Sequence, residues 1–67
     1  MTEFQMHELA RWAIERHLGD VVESGGSVDE LYDNAFCLAH DALLDAGIDA
    51  RTATKIAQYQ AQLIAQP

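Results

Sequence analysis

The chain has 67 residues, with eleven acidic side chains against four basic ones, a formal net charge of −7 and 49% hydrophobic content. Its length allows a single domain, 1–67, at most. The charge argues against nucleic-acid phosphate as the main ligand, because Lys and Arg supply most of that affinity, and the apolar fraction argues against disorder.

A chain this short buries only about 60% of its unfolded surface, so a disulfide, a metal or a partner subunit usually supplements the core. Cys37 is the single cysteine. It rules out an intrachain disulfide and fits a reducing compartment, so a cytoplasmic location is expected. No stretch approaches the roughly 20 apolar residues that span a bilayer. The Met1-Thr2-Glu3-Phe4 start lacks the basic region of a signal peptide, and an acidic surface is repelled by anionic lipids. No membrane partner is expected.

The first helix is predicted over about Glu3 to Glu23. Thr2 followed by Gln5 makes a capping box, and Glu3 suits the helix dipole. Met6, Leu9, Ala10, Ala13, His17 and Val21 recur at helical spacing, widened by Phe4, Trp12, Ile14, Leu18 and Val22. Glu8–Arg11, Arg11–Glu15 and Trp12–Arg16 are neighbours on that helix. Gly19 is a point where it can end early.

Ser24-Gly25-Gly26 breaks the chain. Ser27 with Glu30 forms a second capping box, opening a helix over 28–46. Its stripe is Val28, Leu31, Tyr32, Ala35, Phe36, Leu38, Ala39, Ala42, Leu43 and Ala46, and Gly47 suits a left-handed residue after the C-cap. Asp49 caps a third helix, 50–65, with Ala53, Ile56, Ala57, Ala61 and Ile64 inward and Tyr59 and Leu63 beside them. Period-2 alternation is absent. The fold class expected is all-α, a small three-helix bundle with short loops between neighbours. Alanine is frequent on its inward stripes and buries little area, which favours completion of the core by dimerisation.

Chemistry-bearing residues are sparse. Cys37 and His40 lie three apart on one helix, but zinc needs four ligands and a catalytic thiol needs an oriented base and an oxyanion hole. Cys37 is expected in the core or at its boundary. No enzymatic activity, metal or cofactor is expected. Asp20, Glu23, Asp29, Glu30 and Asp33 gather around the Gly25-Gly26 break, and carboxylates on a rigid helical surface can occupy a basic groove on another protein. Trp12, Tyr32 and Tyr59 are the aromatic candidates for interface anchors.

These residues point to a small acidic protein-binding module. In size, acidity and helical character the chain resembles small inhibitors of phage and mobile elements, anti-CRISPR proteins among them. The resemblance implies stoichiometric inhibition of, or adaptor docking on, a larger protein with a basic surface. A homodimer is also expected. The alternative lies in Asp41 to Gln58, which resembles a helix-turn-helix. Ala46-Gly47-Ile48-Asp49 leads into a helix bearing Arg51, Thr52, Thr54, Lys55 and Gln58, residue types suited to a recognition helix. Residues 1–40 carry a net −6 and residues 41–67 only −1. DNA binding through the third helix therefore stands as a second expectation.

Overall fold

The Thr2–Gln5 capping box forms as the sequence predicts. Thr2 Oγ1 accepts from the Gln5 N–H at 3.1 Å, and Gln5 Oε1 accepts from the Thr2 N–H at 2.9 Å. Helix α1 runs from Glu3 to Arg16. His17 leaves helical geometry at φ −112°, ψ 18° and donates its N–H to the Ile14 carbonyl at 3.1 Å. That end exposes His17, which the apolar stripe placed inward. The computed structural model of the chain describes residues 1–17 and 28–65, and only the backbone of Val28 and Asp29. The expected continuation through Gly19 to Glu23, the Ser24-Gly25-Gly26 break and the Ser27 cap lie outside the described residues.

Helix α2 spans Val28–Asp45 and α3 spans Ala50–Ala65. The turn between them closes by hydrogen bonds from Ile48 N–H to the Leu43 carbonyl and from Gly47 N–H to the Leu44 carbonyl, both 3.0 Å. This is a Schellman motif, and it requires a left-handed residue after the C-cap. Gly47 supplies it with φ +88°. Ile48 packs against the buried core cluster that contains Leu43, the apolar contact that accompanies the motif. Ala46 falls in the turn and is exposed, so the inward stripe of α2 ends with Leu43 rather than Ala46. Asp49 then caps α3. Its Oδ2 accepts from the Thr52 N–H at 3.0 Å, and its carbonyl accepts from Ala53 at 2.9 Å.

The three helices pack as an all-α bundle, with α2 and α3 in the most extensive contact and α1 and α3 in the least. The Cα radius of gyration is 11.0 Å, the value of about 11 Å expected of a packed chain of this length. Among the described residues the core is Ala10, Ala13 and Ile14 from α1, Ala35, Ala39 and Leu43 from α2, and Ala53, Ile56, Ala57, Ala61 and Ala65 from α3. Alanine dominates that set, and each alanine contributes little area at about 25 cal/mol per Å². Among the described residues Ile14 and Leu43 are the largest fully buried side chains. No described helix is long and apolar enough to cross a membrane.

Candidate protein-binding faces

Two exposed surfaces differ sharply in chemistry. The first is the outward face of α2. Glu30, Asp33, Cys37, Asp41 and Leu44 recur at three- and four-residue steps, with Asp45 adjoining, and all are exposed. Opposite them on the same helix, Ala35, Ala39 and Leu43 are buried. The α2 sequence contains no Lys or Arg, so its carboxylates have no counter-charge on their own helix. Cys37 sits within this face as a free exposed thiol, not in the core or at its boundary: three residues from both Asn34 and His40, it lies opposite the buried alanines.

The second surface is an open groove of about 970 Å³ between α1 and α3. Its floor is polar but closed. Gln60, only 8% exposed, donates its side-chain amide to His7 Nδ1 at 3.0 Å, and the His7 ring meets Tyr59 edge to face at 5.2 Å between centroids. Nδ1 is therefore the acceptor of the imidazole, and Nε2 carries the proton, 3.9 Å from the Glu3 carboxylate. Around this floor stand large apolar side chains left open to solvent: Phe4 at 70%, Tyr59 at 54% and Leu63 at 55% exposed. The rim carries both signs of charge, Glu3, Glu8 and Glu15 with Arg11 and Lys55. Arg11 Nε bonds Glu15 at 3.2 Å, an exposed pair worth well under 1 kcal/mol, while Lys55 makes no ion pair among the described residues.

Comparisons of the chain with protein-family models, with curated proteins and with solved structures gave no match. The functional reading therefore rests on the residues themselves.

Of the expected contact residues, Asp20 and Glu23 lie outside the described residues, as does the side chain of Asp29. Glu30 and Asp33 lie on the exposed α2 face. Tyr59 stands in the groove. Trp12 is 54% exposed on the side of α1 away from Ala10 and Ile14, with the Arg16 guanidinium 5.1 Å over its ring. Tyr32 is half-buried and begins a ladder along α2, stacking on Phe36 at 6.4 Å, which stacks on His40 at 5.2 Å. The described ones among the expected residues thus do not share a single surface.

On α3, Arg51, Lys55 and Gln58 share an exposed face and neither cation is ion-paired among the described residues. Thr54 does not join them. Its hydroxyl donates to the Ala50 carbonyl at 2.8 Å and also lies 3.3 Å from His40 Nε2. The hydroxyl proton is used on Ala50, so the His40 ring must donate Nε2–H to Thr54. Cys37 and His40 consequently point to different places, and no group of three metal-capable side chains occurs among the described residues. The Asp49 carboxylate is held below its ordinary pKa of 3.8, mainly by the Thr52 backbone N–H, then by the Thr52 hydroxyl, with a smaller pull from Arg51.

The sequence reading names Tyr59 but not Phe4, His7, Gln60 or Leu63 as a site. A signal was available: His7 lies three residues before Ala10, and Gln60 four after Ile56, so both polar residues interrupt inward stripes.

Proposed function

We propose that this protein is a non-catalytic binding module of the cytoplasm that docks stoichiometrically on a larger protein through a basic surface of that partner. The observation that carries this reading is the outward face of α2. Its exposed carboxylates at Glu30, Asp33, Asp41 and Asp45 share a rigid helix that has no Lys or Arg. Single-sign charge on a fixed scaffold steers a basic partner and excludes an acidic one. Inhibition or adaptor action follows when the partner's basic surface is itself a working site, as with the small phage inhibitors that the chain resembles in size and acidity. The exposed thiol of Cys37 is compatible with a reducing compartment.

The test is capture of partner from nuclease-treated lysate on the tagged chain and on its Asp33→Lys/Asp41→Lys variant. A stoichiometric partner held at low salt, released at high salt and lost by the variant is the expected result. Equal capture by both chains, or no salt-sensitive partner, would contradict the reading.

A second reading, DNA binding through α3, draws on the shared exposed face of Arg51, Lys55 and Gln58. Two cations give a small phosphate footprint, since each contact contributes about one unit of salt slope. Titration of a duplex with wild type and with Arg51→Glu/Lys55→Glu separates the readings. Affinity that falls steeply in the variant favours DNA, and no binding by either chain removes it.

A further inference from the structure

We infer that the α1–α3 groove is the docking site for a second copy of this chain. This goes beyond the basic-partner reading and does not depend on it, because the face and the occupant both differ. Three observations converge on the groove. Phe4, Tyr59 and Leu63 are each more than half exposed there, whereas the core beneath is mostly alanine. A bundle with so thin a core gains from covering those side chains. Next, charge selects the face. Arg11 and Lys55, two of the chain's four basic residues, stand on the rim with Glu3, Glu8 and Glu15, only three of its eleven acids. Across the outward face of α2, which has no Lys or Arg, two copies meet acid against acid. An isologous contact needs one surface that carries both signs, since each patch meets its own copy. The groove rim has both. Last, the buried polar side chain of the floor, Gln60, is already bonded to His7, so covering it breaks no hydrogen bond. A purely basic partner fits α2 better, and a purely acidic one is repelled by the net −7.

The experiment is sedimentation equilibrium of the full chain at low salt, from micromolar to millimolar concentration. The expected result is a reversible monomer–dimer equilibrium. Tyr59→Glu/Leu63→Glu weakens it at least tenfold, and Lys55→Glu alone weakens it severalfold. Trp12→Ala and Asp33→Lys, which change residues outside the groove, leave it unaltered. Circular dichroism confirms that each variant keeps its helices. Should the double variant lose them, Lys55→Glu decides, because that side chain is exposed and makes no ion pair among the described residues. A wild-type chain that stays monomeric at every concentration overturns the inference. So does a dimer indifferent to Lys55→Glu, or a monomer whose groove takes up an added amphipathic peptide.

Discussion

The outward face of α2 and the α1–α3 groove are both open to solvent, yet they expose opposite kinds of surface. The α2 face is carboxylate-rich, with Leu44 its one large apolar side chain and no cation. The groove concentrates Phe4, Tyr59 and Leu63 between charges of both signs. The contrast follows from side-chain size at the helix seams. Where α2 meets α3, the core joins Ala35, Ala39, Ala53, Ala57 and Ala61, and the helices close on one another. Where α1 faces α3, Tyr59, Leu63 and Phe4 hold the surface open. Small residues let one seam close, and bulky exposed ones leave the other open to solvent. In the division proposed above, the single-sign face attracts a foreign partner and the mixed-sign apolar face suits self-contact.

The largest test removes both faces together. Leu43 is fully buried and anchors the Schellman turn that fixes α2 against α3. Leu43→Ala is expected to cost about 2–5 kcal/mol, a large share of the stability of a domain this small. Urea or thermal denaturation followed by circular dichroism reads it, and a transition unchanged from wild type would contradict the role given to Leu43. A smaller change acts on the groove side alone. Thr2→Ala removes the cap that starts α1, at a cost of about 0.5–2 kcal/mol. It frays the helix that carries Phe4 and His7, so hydrogen exchange should accelerate in the first turn of α1 and stay unchanged in α2. Acceleration spread evenly over both helices would argue against separate seams.

The smallest effect lies at the turn between acidic α2 and cationic α3. The Asp49 carboxylate is held below 3.8 in the folded chain by the Thr52 N–H. Its contribution is therefore fully present above that ordinary value and is lost as pH falls through the lower folded one. Asn caps about as well as Asp but does not titrate. Asp49→Asn should match wild type near neutrality and show a shallower loss of stability below pH 3.8. Parallel acid-unfolding curves for the two chains would contradict the cap's electrostatic part.

Local chemistry made much of the fold legible. Thr2 with Gln5, Gly47 in the turn and Asp49 before α3 each act within a few residues of their own position, so spacing alone locates them. The groove depends on contacts across the chain. Gln60 and His7 are fifty-three residues apart, and nothing in the spacing of either announces the other. Cys37 illustrates the same limit. Its small apolar side chain suggested the core or its boundary, but its register on α2 sets it among the carboxylates. The acidic character of α2 was visible from composition. That its carboxylates share a face opposite Ala35, Ala39 and Leu43 needed the helix register.

The measurement closest to the central claim is amide chemical-shift mapping of the full chain by NMR in two series. One dilutes the protein, and the other adds a lysine-rich peptide at constant protein concentration. Two separate faces predict that dilution moves the resonances of Phe4, His7, Tyr59, Gln60 and Leu63, while the peptide moves those of Glu30, Asp33, Cys37, Asp41 and Asp45. Shifts from both series on the same residues, or dilution shifts centred on α2, would contradict the division of the surface proposed for this protein.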